Sequence, residues 1–300
     1  MTATQKLADT PASGDAADWA RQFRDTGIVH LPKLLSEEQV VLAEEAFNYA
    51  MAHPGPAAGT AASAKVDEAR GEKFYTDISN TESWSSAEFV RLLRDTPLAD
   101  AVAKIFGTQD VWFFGEQLFW KEGGEIQRTG WHQDASFVCF EGPDTAVVWI
   151  CLDPVAKENS LEFIPGSHKW PTHNGFRLDP DQQYRPFYEN SDMPLLPDIE
   201  SERENWEIVS WPIERGDVVI FHMKVLHGGA PTRPHQRRRT ISLRMFGPDA
   251  HRVQRPPHPK THGRKSDFDF FFFREVYALQ PGDPISAAPG AMRVRPWSEH

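Results

Sequence analysis

The sequence predicts a mainly β protein with flanking α-helices, a double-sheet jelly roll with helices packed on it. Two observations lead there. Helical patterns crowd the first third of the chain, and short strand-like runs divided by turn-rich breaks fill residues 110–247. The chain also carries ten Trp and twenty Phe. Aromatics in that number can line a cavity between two sheets as well as fill a core.

In chain order, residues 1–14 are small and polar and read as a disordered tail, with 15–300 as one domain. Trp19 and Phe23 lie one turn apart in a short helix closed near Gly27. Ile28 to Leu31 reads as a strand. Ser36 and Gln39 form a capping box that opens a helix to about Ala52. Pro54 to Ser63 is a low-complexity loop. Helices return at Ser86 to Asp95 and Leu98 to Phe106, with Gly107 as the stop. Strands follow at Val111 to Trp120, around Trp131, and at Ala146 to Leu152, Leu161 to Ile164, Trp206 to Pro212, Val218 to His222 and Arg239 to Phe246. The segment 172–207 is an insertion rich in Pro, Asp, Tyr and Glu. Residues 248–300 form a Pro- and His-rich extension in which Phe268 to Phe273 reads as a packing strip.

Composition narrows the function. No apolar run has the length of a membrane span. The first residues lack the basic-then-apolar plan of a secretion signal. Cys139 and Cys151 read as reduced thiols, and the protein as cytoplasmic. The net charge is −11, yet His222 to Lys265 holds eleven Lys and Arg against the single acid Asp249. A basic segment in an acidic chain either faces an anionic ligand or pairs with the acidic remainder. The overall balance, and the lack of a recognisable motif, speak against nucleic acid.

The chemistry centres on Trp131-His132-Gln133-Asp134. In extended chain, His132 and Asp134 share one face and Trp131 and Gln133 the other. An imidazole and a carboxylate two residues apart can grip one ion, and His227 is the best candidate for a third ligand. Two histidines and a carboxylate on one face of an octahedron suit Fe(II) and leave three positions open. Arg238 lies eleven residues after His227, and Thr240 shares its strand face. A guanidinium fork matches a carboxylate with two charge-assisted hydrogen bonds. An iron site with such an arginine behind it is what 2-oxoglutarate needs, with one position left for O2.

Several stretches resemble the phytanoyl-CoA dioxygenase family in order and spacing. They are His132-Gln-Asp-Ala-Ser-Phe137, Ala146-Val-Val-Trp-Ile-Cys-Leu-Asp153, Glu158 to Trp170 with its Ile-Pro-Gly-Ser-His run, and Gly216 to His227 followed by Arg238-Arg-Thr-Ile-Ser242. The resemblance covers about residues 18 to 247. It implies a double-stranded β-helix of cupin-like form, with N-terminal helices on the major sheet. It implies Fe(II) held by His132, Asp134 and His227, and the distal carboxylate of 2-oxoglutarate held by Arg238. Gln117 and Trp149 fall where the family contacts this cosubstrate. The family usually has Gly where this chain has Ser160, which alters a turn and no ligand. Related halogenases replace the carboxylate with a small residue, so Asp134 points to hydroxylation.

The expected function is therefore hydroxylation of a C–H bond in a small molecule, for which the basic stretch 222–265 hints at an anion, coupled to conversion of 2-oxoglutarate and O2 to succinate and CO2. Phe137, Val138, Lys121 and Arg244 are candidate substrate residues, with Arg252 as a further contact for an anion. His168 reads as a turn residue, and His222 as core because its strand parity opposes that of His227. His173, His235, His251, His258 and His262 read as loop histidines. Three other readings stay open. The same mechanism can end in demethylation, desaturation or ring closure. The fold can serve as a silent binding protein, against which the intact ligand set weighs. A cupin-like dioxygenase without cosubstrate is the last, against which Arg238 and Thr240 weigh. The insertion 172–207 stands where the family often has a lid.

Overall fold

The computed structural model describes residues 15–55, 65–67, 72–78, 81–123, 128–175, 186, 188, 191–233, 236–256 and 271–297. Helix α1 (Ala16–Thr26) runs into β1 (Ile28–Leu31), and α2 (Glu37–Ala52) follows. The hairpin β2 (Lys65–Asp67) and β3 (Glu72–Ile78) precedes α3 (Thr81–Trp84), α4 (Ala87–Arg94) and α5 (Leu98–Phe106). Next come β4 (Val111–Glu122), β5 (Thr129–His132), β6 (Phe140–Glu141), β7 (Thr145–Cys151) and β8 (Leu161–Phe163). Strands β9 (Val218–His222), β10 (His227–Gly229), β11 (Arg237–Phe246) and β12 (His251–Arg252) follow, then α6 (Phe271–Ala278) and β13 (Met292–Arg295).

Among the described residues, the larger sheet runs β1-β9-β7-β11-β4-β3-β2, with β13 paired to the start of β4. The smaller sheet is β5-β10-β8, and β6 pairs with β12. The strand pairings are antiparallel. This is the expected jelly roll, and strand alternation gives its large sheet two different faces. Val148, Ile150, Val218, Ile220, Ile241 and Leu243 point outward and form one core with Trp19 and Phe23 of α1, Phe47 of α2 and Leu92 of α4. Val147, Trp149, Cys151, Val219 and Phe221 point inward, where Phe163 of the smaller sheet meets them. Each large apolar side chain buried on the outer face contributes about 1.5–3 kcal/mol. That face secures the fold and frees the inner face to carry polar groups.

The helix ends are set by local chemistry. Asp15 accepts from the Ala17 N–H at 2.9 Å and opens α1. The Ser36 hydroxyl and Gln39 side chain cap α2 reciprocally, as the sequence predicts. Gly27 closes α1 at φ 79°, and here the left-handed conformation matters. Its carbonyl accepts from His222 N at 2.8 Å, and the Thr26 carbonyl accepts from Gly166 N at 2.7 Å. A Cβ at Gly27 would lie 2.4 Å from Val225 Cγ2 and 2.6 Å from His168 Nδ1. The end of α1 thus presses on the turn that delivers His227.

Some expectations need correction. Trp206 to Pro212 is not a strand: Val209 makes one bridge to Phe163, and Ile213, just beyond, makes another to Val155. Pro212 has no N–H to continue a ladder between those two points. The hairpin β2–β3 and the strand β13 were not expected. Residues 222–227 are not one strand but two strands joined by a turn, so parity does not apply. His222 is nonetheless buried, its Nε2 donating to the Gly142 carbonyl at 3.1 Å. The tail 1–14, most of the loop 54–63, the side chains of the Phe268–Phe273 strip, and His235, His258 and His262 lie outside the described residues.

Gly27→Ala is expected to lower stability by about 2 kcal/mol or more, from the left-handed backbone and the overlap together. Urea unfolding checks this, and an unchanged midpoint would show that the α1 end does not bear on the turn. A second expectation concerns pH. Burial, then the nearby Asp249 carboxylate, pushes Asp144 up to about 6 from 3.8. A raised acid pKa stabilises the fold below the unfolded value and loses that contribution as pH rises through the folded one. Asp144→Asn is therefore expected to gain stability relative to wild type between pH 4 and pH 8, by up to about 3 kcal/mol. Parallel stability profiles for the two proteins would contradict it.

Candidate metal centre

The register of the small sheet builds the site. His132 on β5 and His227 on β10 are direct cross-strand partners, which puts both imidazoles on one face with ring centroids 4.2 Å apart. The chain stays extended through Gln133 (φ −115°, ψ 129°), so Asp134, the first residue of a 3₁₀ turn, returns to the face of His132. One ligand atom from each of His132, Asp134 and His227 lies within 4.8 Å of the others, and all three residues are buried. Asp134 Oδ1 sits 3.3 Å from His132 Nε2 and 3.8 Å from His227 Nε2.

The imidazoles are oriented for a metal. His132 Nδ1 lies 2.8 Å from the Gly130 carbonyl and His227 Nδ1 lies 3.0 Å from the Val225 carbonyl. A carbonyl only accepts, so Nδ1 carries the hydrogen in each ring and Nε2 keeps its lone pair for the ion. Burial, then His132, pushes His227 down to about 3, so it is neutral and able to ligate at ordinary pH. Burial works to raise the Asp134 pKa, but Arg244 and the two histidines outweigh it and hold the carboxyl well below its usual range. Two imidazole nitrogens and one carboxylate are the donor set Fe(II) prefers.

The outward residues of the same stretch do different work. Trp131 Nε1 donates to Glu200 Oε2 at 2.9 Å. Gln133, fully buried, donates to the Lys224 carbonyl at 2.7 Å and accepts from His173 N at 2.7 Å. Tyr188 donates to the Ser136 carbonyl at 2.9 Å and exchanges two bonds with Asn174. The described parts of 172–207 are thus tied to the back of the metal motif. His173 lies in a loop, as expected, and is buried there as a partner of Gln133. Sequence reading missed Gln133, Tyr188 and Arg255, which donates to the carbonyls of Ala135 and Val138. The alternation that singled out His132 and Asp134 also marked Gln133, but its partners are remote in sequence.

The inner face of β11 carries the remaining candidates. Arg238 and Lys121 are cross-strand partners, and both are buried. Arg238 donates to the Asn159 carbonyl and, at 3.0 Å, to the Ala230 carbonyl. Lys121 donates to Thr129 Oγ1 at 3.0 Å. Burial, then the neighbouring Arg238 and Arg128, pushes the Lys121 ammonium well below its ordinary value. Thr240 lies opposite Phe119 and Cys151, one step further along the same face, and Trp149 lies opposite Ser242. Among the described residues, Arg238 has no acidic partner. Its neighbours in the basic segment do: Arg233 pairs with Glu158, Arg237 and Arg239 with Asp153, and Arg255 with Glu141. Hydrogen bonds from a charged donor contribute about 1.5–3 kcal/mol each, but the two carbonyls bring no negative charge to this buried guanidinium.

The substrate candidates separate. The Phe137 ring meets His132 edge-on at 6.1 Å. Val138 is buried in the inner core. Arg252 reaches the Cys139 carbonyl and lies over the Tyr277 ring. Gln117 and Arg244 meet each other, with Arg244 Nη2 donating to Gln117 Oε1 at 2.8 Å. Arg244 also reaches Asp134 Oδ2 at 3.2 Å.

Fold and side chains together define a jelly-roll protein of the Fe(II)- and 2-oxoglutarate-dependent oxygenase class. The family model for phytanoyl-CoA dioxygenase (PhyH) matches residues 23–240, and the chain belongs to that family. It is 27% identical to the human peroxisomal phytanoyl-CoA dioxygenase over 133 residues, which is 44% of this chain and 37% of the human one. It is 22% identical over 240 residues to a probable alpha-ketoglutarate-dependent hypophosphite dioxygenase of Stutzerimonas stutzeri, covering 78% of this chain and 79% of that one. In fold it is similar to the epimerase SnoN, solved with Fe3+ and alpha ketoglutarate, at TM-score 0.62 and 18% identity over 93% of this chain and 98% of that one. It is also similar to the carbocyclase SnoK, at TM-score 0.59 and 20% identity over 92% and 95%.

An ion bound at the three converging atoms stabilises the folded state by mass action, by about 2.7 kcal/mol at one hundred times its Kd. Anaerobic Fe(II) is expected to raise the thermal midpoint of wild type and not that of the double variant His132→Ala, His227→Ala. Equal shifts in both would place the ion elsewhere.

Proposed function

We propose that the protein hydroxylates a C–H bond of a small molecule, using Fe(II), 2-oxoglutarate and O2 and releasing succinate and CO2. His132 Nε2, Asp134 Oδ1 and His227 Nε2 hold the metal. Arg238, with Thr240 beside it, holds the distal carboxylate of 2-oxoglutarate, and Trp149 walls that cosubstrate. The observation that carries this reading is a buried three-ligand set sharing one barrel interior with a buried guanidinium whose partners, among the described residues, are backbone carbonyls. When bound, the iron and 2-oxoglutarate supply the oxidising power. The chain supplies the rest. Arg238 fixes the far end of the cosubstrate, and the Nδ1–H bonds fix both imidazoles. The apolar walls from Trp149, Phe163 and Phe221 exclude water.

A small anionic substrate is supported by the relative named for hypophosphite, which aligns over most of both chains. The described parts of the insertion 172–207 grip the turn that carries Asp134, which supports a role for the insertion in holding the site. The free, buried thiols of Cys139 and Cys151 agree with a cytoplasmic setting. Among the described residues, no helix is long and apolar enough to cross a membrane. Desaturation, demethylation or ring closure needs the same site, and the similarity of fold to an epimerase and a carbocyclase keeps such outcomes in view.

Anaerobic titration of the Fe(II) protein with 2-oxoglutarate is expected to produce the weak visible band of the chelate. Arg238→Ala is expected to need roughly 10- to 150-fold more 2-oxoglutarate, the loss of one charge-assisted contact of about 1.5–3 kcal/mol. Iron binding with no band at any concentration would sink the cosubstrate and favour a cupin-like dioxygenase. A band without succinate release on adding O2 and candidate small acids would favour a binding protein.

A further inference from the structure

We propose that Arg244, held in place by Gln117, sets how Asp134 binds the metal. This rests on the metal centre proposed above and deepens it. The Asp134 carboxylate is divided between two partners. Oδ1 faces both histidines, while Oδ2 lies 3.2 Å from Arg244 Nη2. That nitrogen also donates to Gln117 Oε1 at 2.8 Å. Among the described residues these are the polar partners of the Arg244 side chain, and its Nη1 is buried without one. Arg244 therefore ties no loop or helix end together; its contacts belong to the centre.

The arrangement has a chemical consequence. A carboxylate can bind a metal through one oxygen or through both. With both it fills two adjacent positions, and one of the three that cosubstrate and O2 need is lost. A guanidinium on Oδ2 keeps that oxygen off the ion and leaves Oδ1 as sole ligand. Gln117 supplies the second acceptor that keeps the fork from swinging away. It lies on β4 directly opposite Ser242, two residues before Arg244 on β11. Gln117 is thus a positioning residue acting through Arg244, and not a direct contact of 2-oxoglutarate. Arg244 likewise serves the metal ligand and not the substrate.

The role predicts a split that ordinary structural damage does not produce. In Arg244→Met the freed Oδ2 joins the metal, so Co(II), titrated anaerobically as a probe, is expected to bind as tightly as in wild type or a few-fold tighter. The same variant is expected to bind 2-oxoglutarate about tenfold more weakly, equivalent to about 1.4 kcal/mol, because Oδ2 competes for a position the chelate needs. Its Co(II) visible spectrum is expected to lose intensity as coordination number rises. Gln117→Leu is expected to move both constants in the same directions by less, and to add nothing when combined with Arg244→Met. Arg244→Lys, which keeps the charge, is expected to restore part of the wild-type spectrum. If Arg244→Met does not fold, Gln117→Leu and Arg244→Lys still carry the test. Parallel weakening of Co(II) and 2-oxoglutarate, or an unchanged spectrum in all three variants, overturns the proposal while leaving the metal centre intact. A wild-type protein that binds no Co(II) overturns both.

Discussion

The site depends on one register. His132 and His227 are opposite each other across β5 and β10, and every other feature of the centre follows from that pairing. A slip of one residue would turn one imidazole to the far face of the small sheet. Two glycines after His227 permit the close fit. A Cβ at Gly228 would lie 3.0 Å from the Thr129 carbonyl, and one at Gly229 would lie 3.3 Å from Thr129 Oγ1. The pairing shifts between His227 and Gly229, so the ladder is regular where the ligands sit and irregular just beyond. The neighbouring pair of β10 with β8 locks the register from the other side, through His227 and Phe163. Stability comes mainly from the outer face of the large sheet and its helices. Geometry at the metal comes from the three short strands of the small one.

Charge explains how so many arginines share one segment. Among the described residues, most of their guanidinium groups are paired rather than gathered into a basic surface. Arg233, Arg237, Arg239 and Arg255 each find a carboxylate brought from a distant part of the chain. Arg239 is shared between Asp153 and Glu44, tying β11 to the residue after β7 and to α2. Against this background Arg238 stands apart, since its partners are carbonyls. Strand alternation makes the difference: Arg237 and Arg239 point outward to acids, and Arg238 points inward to the cavity. One run of three arginines thereby supplies both an ion-paired seam and a ligand-binding charge.

Much of this was legible in the sequence. The helix caps at Ser36 and Gly27 rest on local chemistry, and so were readable. His132 and Asp134 were readable because a period of two needs only extended chain. Arg238 and Thr240 were readable because β11 is long and regular. The hairpin β2–β3 was not, because its sequence is charged and lacks an apolar run. The strand β13 was not, because it is defined by a partner, β4, almost two hundred residues earlier. The links from Trp131 to Glu200 and from Gln133 to His173 join residues forty or more positions apart, and no local pattern encodes them. The positions of Gln117 and Arg244 were legible as strand residues facing inward. Their contact with each other appears only once β4 and β11 are in register.

The metal motif can be read as a two-sided device. Its inward residues present ligands, and its outward residues hold the insertion: Trp131 grips Glu200 and Gln133 grips His173. Glu200 is also shared with Arg128 and Arg203, and Glu162 with the same two arginines. Arg128 directly precedes β5, and Glu162 lies within β8. The ion network therefore spans the small sheet behind the ligands and anchors the end of the insertion to it. A shift of the insertion is transmitted to the strand that carries His132 through a tryptophan and a glutamine, both buried and both hydrogen-bonded. The strand has little freedom to absorb it, because His132 and His227 must stay opposite each other. The insertion is in this way coupled to ligand geometry through short-range bonds. The jelly roll itself is common to proteins described as an epimerase and a carbocyclase. On a scaffold shared by such different proteins, function is set by the side chains of the site and not by the fold.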